Sequence, residues 1–288
     1  MLKFTHLDKV LWKKSGLTKG DLISYYAKIA PFILPYLKNR PVALKRFPDG
    51  VNAKSFFQKE SGSNLPSFVK TAPIEHSNKT IHYFLIQNPE TLLYVANLAA
   101  IEIHPIHASI QHLYRPDYLV LDLDPPAGEF LAAVEVARGV HKLLDSFHIP
   151  NFCKTSGQKG LHIYIPLKGK NENSQVKDFA YFLARYANQQ MPDLTTLERM
   201  PNRRGGKVYI DIFQNQMLTS MICPYSPRGT AKATVSTPLF WKEVNQRLNP
   251  ENFTIETIPR RLSKKGDPFQ FLFSKGIDLS CTRFKKAK

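Results

Sequence analysis

Three stretches of the chain alternate aliphatic and other residues with a period of two. In Tyr118–Asp124, Leu119, Leu121 and Leu123 fall on one side and Asp122 and Asp124 on the other. Over 161–165, Leu161, Ile163 and Ile165 oppose His162, and over 208–213, Val208, Ile210 and Ile212 oppose Asp211. Successive strand side chains point to opposite faces, so each stretch predicts a strand with an aliphatic back and a polar front. Pro41–Arg46 and 81–86 also read as strands. Elsewhere the period lengthens to that of a helix. Segment 17–37 predicts a helix that Thr18 can cap, with Asp21 in the first turn and Leu22, Tyr25, Tyr26, Ile29 and Ile33 along one face. A second helix is expected over 89–101. Two more, over 129–147 and 176–190, carry apolar stripes (Phe130, Val134, Ala137 and Leu144; Phe179, Phe182, Leu183 and Tyr186) suited to the back of such a sheet. Strands and helices interleave, which gives an α/β or α+β class.

Charge narrows the partner. The 288 residues hold 40 Lys and Arg against 23 Asp and Glu, a net +17. That balance points to a polyanion, nucleic acid before an anionic membrane surface. The three cysteines, Cys153, Cys223 and Cys281, form no C-x-x-C pair, which argues against a zinc ribbon and suits a reducing compartment. No signal-peptide core is visible, and no apolar run approaches the roughly 18 residues of a membrane span. The expectation is a soluble, cytoplasmic, nucleoid-associated prokaryotic protein with no membrane partner. Residues 1–250 are expected to form one domain, with an N-terminal lobe over about 1–115 and a catalytic lobe over about 116–250. Past 250 the composition shifts: residues 257–288 hold nine Lys or Arg against two acids. This basic C-terminal segment, 251–288, reads as a partly ordered surface tail or a nucleic-acid-contacting arm.

The polar fronts suggest chemistry. Carboxylates at i and i+2 on one strand share a face and repel unless a cation lies between them, and hard oxygen ligands select Mg²⁺ or Mn²⁺. Pro125 and Pro126 end the strand, so Asp122 and Asp124 lie at its tip, and Asp211 offers a third acid on a strand of the same type. Three carboxylates can hold two ions for an in-line phosphoryl transfer. By itself Asp-x-Asp also suits sugar-nucleotide glycosyltransferases, aspartyl phosphatases or two solvated acids. The flanking leucines argue against solvated acids, and Pro126 stands where a phosphatase of that type wants Thr. The loop from Thr155 to His162 resembles a phosphate cradle with Ser156, Lys159 and His162 as donors and cations, although a plain glycine turn explains its two glycines equally well. Arg203, Arg204, Gln214 and Arg228 place further donors near Asp211. His104, His107 and His112 could form a zinc site, but no cysteine joins them. Phe56 and Phe57 are either core or an aromatic platform for a base.

Four motifs, Glu102-Ile-His-Pro105, Leu121-Asp-Leu-Asp-Pro125, Lys154-Thr-Ser-Gly-Gln-Lys-Gly-Leu-His162 and Arg204-Gly-Gly-Lys-Val-Tyr-Ile-Asp211, resemble in order and spacing the polymerase module of bacterial ligase D. That module belongs to the archaeo-eukaryotic primase superfamily, and the likeness runs from about Leu7 to Trp241. The resemblance implies a primase-polymerase fold: a central, mostly antiparallel sheet with the acids on one face and helices on the other, plus an N-terminal α/β lobe. It implies a template-dependent DNA-directed nucleotidyltransferase that extends primer 3′ ends and fills gaps in non-homologous end joining, taking NTP or dNTP with a preference for ribonucleotides. By the same resemblance two Mn²⁺ or Mg²⁺ ions would be held by Asp122, Asp124 and Asp211. Ser156, Lys159, His162 and Arg228 would bind triphosphate, and His104, Arg204 and Gln214 would lie near the nucleotide or primer end. Lys45, Phe56 and Phe57 would form the nucleotide pocket, and Lys9 and Lys19 would hold the 5′-phosphate of a downstream strand. DNA with ends or gaps, a Ku-like end-binding protein and a DNA ligase are the implied partners. Gln158 departs from the Gly of many relatives, and no ligase motif of the Lys-x-Asp-Gly type is present. The alternatives are a true primase starting chains de novo and a non-catalytic DNA-end-binding module.

Overall fold

The computed structural model describes residues 2–280. Strands β1 (Val10–Trp12) and β2 (Leu17–Thr18) form a small hairpin that leads into α1 (Lys19–Leu37). The Thr18 side chain accepts the Asp21 N–H and the Asp21 carboxylate accepts the Thr18 N–H, which satisfies two donors that a helix start otherwise leaves unpaired. A five-stranded antiparallel sheet follows, from β3 (Pro41–Arg46), β4 (Phe56–Gln58), β5 (Lys70–Glu75), β6 (Thr80–Leu85) and β7 (Ala100–Pro105), with α2 (Pro89–Asn97) between the last two. The order is β4-β3-β6-β5, and β7 also pairs with β3.

The second sheet is built from β8 (Tyr118–Asp124), β9 (Phe152–Thr155), β10 (Leu161–Pro166), β11 (Thr195–Thr196), β12 (Val208–Asp211) and β13 (Pro238–Leu239), in the order β11-β12-β8-β10-β9-β13. All its pairings are antiparallel except β11 with β12. Its back, with Leu119, Leu121, Leu123, Ile163 and Ile210, is buried with α3 (Phe130–Ser146) and α4 (Asn173–Gln190) in one core. Its front divides. Tyr118, Val120 and Tyr164 join the core of the first lobe, whereas Asp122, Asp124, His162 and Asp211 continue the same face toward the strand ends. The polar front read from the sequence is thus the outer half of a face whose inner half is apolar and seals the two lobes together.

Three elements differ from the sequence reading. The helix expected over 89–101 ends at Asn97; Ala99 adopts φ +56° and the chain re-enters as β7. Every residue of β7 is buried, so its period-two pattern cannot be told from a helical apolar face. The strand expected over 208–213 stops at Asp211, because the Phe213 N–H turns back onto Asp211 Oδ1 at 2.7 Å. The buried Asn215 then takes the place of a strand neighbour: its Oδ1 accepts the Val120 N–H and its Nδ2 donates to the Val120 carbonyl. Finally, the segment past 250 is more than a loose surface arm. Helix α5 (Ile258–Lys265) buries Ile258 and Leu262, and Ile255, Phe269 and Leu272 join the first lobe's core, while Arg260, Lys264 and Lys265 ride on the outer side. Cys281 and the basic residues 283–288 lie outside the described residues.

Candidate active site

Sheet register brings the chemistry together. Asp211 on β12 is the direct cross-strand partner of Asp122 on β8, Asp122 pairs with His162 on β10, and His162 pairs with Lys154 on β9. Four polar side chains therefore form one row across four adjacent strands, each about 5 Å from the next. Asp124 lies two residues on along β8, on the same face, opposite Tyr209. Asp122, Asp124 and His162 line a cavity of about 290 Å³ together with Phe57, His104, Ser156, Lys159, Gln214 and Arg228, whereas Asp211 and Lys154 do not.

The acids are held in an unfavourable state. Burial, and then the charges of Asp124 and Asp211, push the Asp122 carboxyl up to about 8. Burial also raises Asp124, although Lys159 and Arg204 partly offset it. Two part-buried carboxyls that disfavour each other's charged form are what a divalent cation would relieve, and an all-oxygen donor set suits Mg²⁺ or Mn²⁺. The residues present thus fit such an ion. Among the described residues, no three acidic, histidine or cysteine side chains are already drawn into a closed ligand cluster. Asp211 shows why: its Oδ1 is engaged by the Phe213 N–H and, at 3.4 Å, by the Tyr209 hydroxyl, and its Oδ2 by Gln214 Nε2 at 3.4 Å.

Beside the acids lies the loop between β9 and β10. Ser156 Oγ accepts the N–H groups of Gln158 and Gly160 at 3.1 and 3.0 Å, so the loop closes a ring of donors around one oxygen. Its glycines are required by close approach. A Cβ on Gly160 would meet the Leu123 carbonyl at 2.4 Å, and one on Gly157, at φ +76°, would meet Arg228 Cγ at 2.6 Å and Ser236 N at 2.8 Å. The loop is therefore clamped between the acidic strand and the Arg228 segment. Gln158 occupies its exposed tip.

A second cluster faces the cavity from β7. Glu102, 1% exposed, accepts from His104 Nε2 and from the Gly229 N–H, both at 3.0 Å, and pairs with Arg228 Nη1 at 3.1 Å and Lys45 Nζ at 3.9 Å. Burial pushes this carboxyl up, but the His104 hydrogen bond, Arg228 and the Gly229 N–H outweigh it and hold it down at about 2. Burial in turn lowers His104, against the pull of Glu102. The Phe57 ring stands edge-on to His104 at 5.3 Å, is 56% exposed and lies under Lys45 Nζ at 5.6 Å.

The structure separates some residues that the sequence grouped. Phe56, one position along β4 from Phe57, stacks under Arg46 at 5.3 Å and does not line the cavity. Arg204 lies over the Tyr209 ring at 4.1 Å and donates to the carbonyls of Glu198 and Arg199, so it reaches the acids through charge only. His107 and His112 share no metal site with His104: His107 is buried against Tyr118 and pushed down to about 3 by burial and Arg40, and His112 pairs with Asp117 at 3.5 Å. Lys9 and Lys19 meet on the N-terminal lobe, outside the cavity, where the Lys19 N–H donates to the Lys9 carbonyl. The Lys19 amine, almost buried, contacts only the neutral Thr5 Oγ1 and Asn97 carbonyl, both at 3.2 Å, and burial and the Lys9 charge lower its pKa. Lys9 pairs with the exposed Asp49 at 2.7 Å.

Sequence reasoning assigned no role to Glu102, Asn215, Lys154 or Ser236. For two of them a signal existed. Glu102 is two residues from His104 and so shares its face if that stretch is a strand. Lys154 and His162 are equidistant from the centre of the glycine loop and become neighbours if the loop closes a hairpin.

The sequence profile of the family described as "LigD, primase-polymerase domain" matches residues 18–269. The chain is 38% identical over 270 residues to the bifunctional non-homologous end joining protein LigD of Bacillus subtilis, a match that spans 93% of this chain and 43% of that protein. It is 33% identical over 271 residues to the multifunctional non-homologous end joining protein LigD of Mycolicibacterium smegmatis, spanning 92% of this chain and 35% of that protein. The chain thus covers less than half the length of these relatives. A solved structure of the polymerase domain from Mycobacterium tuberculosis Ligase D in complex with DNA superposes with a TM-score of 0.89 at 31% identity, covering 96% of this chain and 99% of that one.

Proposed function

The chain belongs to the family of LigD primase-polymerase domains, and from that premise we propose that it is a template-dependent nucleotidyltransferase that extends primer 3′ ends and fills gaps at DNA breaks. One observation carries the reading: Asp122, Asp124 and His162 line the cavity that Ser156, Lys159 and Arg228 also line, and register sets Asp211 directly beside Asp122. Carboxylates on one side and phosphate-binding groups on the other match the charge distribution of a triphosphate with its counter-ions.

In this reading Asp122, Asp124 and Asp211 hold two divalent ions, Mg²⁺ or Mn²⁺. Such ions supply positive charge to the attacking and departing oxygens of an in-line transfer at the α-phosphate. The chain's own groups do the positioning. Lys159, Arg228, Ser156 and the loop N–H groups bind the triphosphate. Glu102 restrains Arg228 and His104 so that both present fixed donors or acceptors to the nucleotide. Phe57, exposed at the rim, offers a face on which a base can stack, with Lys45 beside it. Lys19, a nearly buried amine with no carboxylate in ion-pair reach among the described residues, and Lys9 form a separate anion site for the 5′-phosphate across a gap. The net charge of +17 supports duplex binding through the phosphate backbone.

Preference for ribonucleotides, a role in end joining beside a Ku-like protein and a ligase, and a nucleoid location rest on the family resemblance. No helix among the described residues is long and apolar enough to cross a membrane. The deciding experiment is extension of a labelled primer on a gapped duplex, with and without a downstream 5′-phosphate, using ribo- and deoxynucleotides in parallel. Extension that requires a divalent ion, is strengthened by the 5′-phosphate and disappears in Asp122→Ala is expected. Equal extension by Asp122→Ala sinks the reading, and product made without any primer would identify a de novo primase instead.

A further inference from the structure

Lys154 is fully buried, an unusual place for an amine. Its Nζ lies 2.9 Å from His162 Nδ1 and 2.5 Å from Ser236 Oγ, behind the row of acids and over the Tyr164 ring at 5.6 Å. No carboxylate lies within ion-pair distance of it among the described residues, so it is not half of a structural salt bridge. Burial, and then the Arg228 charge, lower its pKa to about 7, and a buried amine is costly unless its hydrogens do something specific.

The direction of each hydrogen bond can be worked out from the ends inward. Ser236 Oγ lies 2.9 Å from the Thr155 carbonyl, which can only accept, so the serine proton is committed there. Ser236 Oγ must then accept from Lys154. At the other end, His162 Nε2 lies 3.4 Å from Asp122 Oδ1. Lys154, with one hydrogen given to Ser236 Oγ, has a further N–H to place, and Nδ1 at 2.9 Å is the acceptor it meets. The arrangement that satisfies every atom puts the ring proton on Nε2 and leaves Nδ1 to accept from Lys154. The chain of donors therefore runs from one anchor in two directions: Lys154 to Ser236 to the Thr155 carbonyl, and Lys154 to His162, whose Nε2 faces Asp122.

We infer that Lys154 is a positioning residue that fixes His162 as its Nε2–H tautomer, so that the ring presents a permanent donor to Asp122 and the cavity and cannot serve as a proton acceptor. The function of that donor rests on the nucleotidyl-transfer reading of the site; the tautomer does not. Sheet register makes the device rigid, because Lys154 and His162 are direct cross-strand partners and Pro238 of β13, two residues past Ser236, pairs with Lys154 from the other side.

The test uses the whole chain with Mg²⁺ present and two variants, Lys154→Met, which keeps the length of the side chain without its donor, and Ser236→Ala, which removes the anchor. The ¹⁵N shifts of the His162 ring, assigned by their loss in His162→Gln, report the tautomer. The wild-type ring is expected to show a protonated Nε2 and an unprotonated, hydrogen-bonded Nδ1. In Lys154→Met the Nδ1 resonance should move away from its hydrogen-bonded position and the tautomers should mix, with nucleotide incorporation falling about 10- to 100-fold. Ser236→Ala should move both readouts in the same sense by less, and it carries the test if Lys154→Met fails to melt cooperatively. A wild-type ring protonated on Nδ1, or a ring spectrum unchanged in folded variants, overturns the inference. A wild-type chain that shows the predicted ring spectrum but extends no primer leaves the tautomer intact and overturns the nucleotidyl-transfer reading instead.

Discussion

Two carboxylates, Glu102 beneath the cavity wall and Asp122 lining the cavity, meet opposite fates. Glu102, on β7, is surrounded by the protein's own cations and donors and is held down at about 2. Asp122, on β8, is pushed up to about 8 by burial and by the charges of Asp124 and Asp211, which Lys154 and Arg228 only partly offset. Burial acts on both in the same direction, so the difference lies wholly in what stands beside them. Glu102 is neutralised from within and works as a structural hub. Asp122 is left for something outside the chain to neutralise. That contrast separates a site that is complete as folded from one that is built to receive a ligand.

The comparison can be broken most directly at Asp122. Replacing it with Asn, or Asp211 with Asn, should reduce primer extension by at least about 10²- to 10³-fold, the scale of losing one charge-stabilising group in a preorganised site. The same Asp122→Asn change should leave the chain as stable as before or more so, because it removes a carboxyl whose charged form its surroundings disfavour. Steady-state kinetics and thermal melting check the two halves, and a large loss of stability would mean that Asp122 is structural after all. Glu102→Gln should behave the other way, destabilising the fold by about 3 kcal/mol or more, since Arg228 and His104 would lose the acid that pairs with both of them. Urea unfolding measures this, and an unchanged midpoint would remove Glu102 from the role of hub.

Mg²⁺ or Mn²⁺ sharpens the same contrast. An ion at about 100 times its dissociation constant should stabilise the wild-type chain by about 2.7 kcal/mol by mass action, and Asp122→Asn should not respond. A melting midpoint that moves equally in both would place the ion elsewhere. The smallest effect is expected at a third acid, Glu243. Burial pushes it up, but hydrogen bonds from Arg261 and Lys265 hold it down at about 2. A carboxyl lowered in the folded state contributes stability above its unfolded value of about 4.3 and loses it as pH falls toward the folded one. Acid titration of stability should therefore show a component between about pH 4.3 and 2 that is absent in Glu243→Gln, on the order of 1 kcal/mol after allowance for its partial exposure to solvent. It ties α5 to the short turn that begins at Trp241, far from any ligand role.

Much of this site was readable in one dimension. Period-two alternation placed Asp122 and Asp124 on one face of β8 and put the leucines behind them. The Thr18 cap and the two helices behind the sheet followed from spacing alone. Other features were not readable, each for a physical reason. The end of α2 carries no glycine, because Ala99 itself takes the positive φ. Nothing in Phe56-Phe57 says which ring faces the cavity until the pairing of β4 with β3 is known. The end of β12 depends on Asp211 capturing the Phe213 N–H, a choice that competes with continuing the strand.

By itself the sequence determined the local chemistry of each strand and loop: which faces are aliphatic, which residues are acids, where glycines permit a tight turn, and the motif order that marks the family. Only the tertiary structure decided which of these polar residues became neighbours. Alternation sets the face on which a side chain lies, but the register between strands sets what stands opposite it, and that register is fixed by packing across the whole sheet. Asp211 against Asp122, His162 against Asp122 and Lys154 against His162 are all consequences of register. So are the opposite states of Glu102 and Asp122, because the pKa of a buried acid is set by charges that are distant in the chain and adjacent in space.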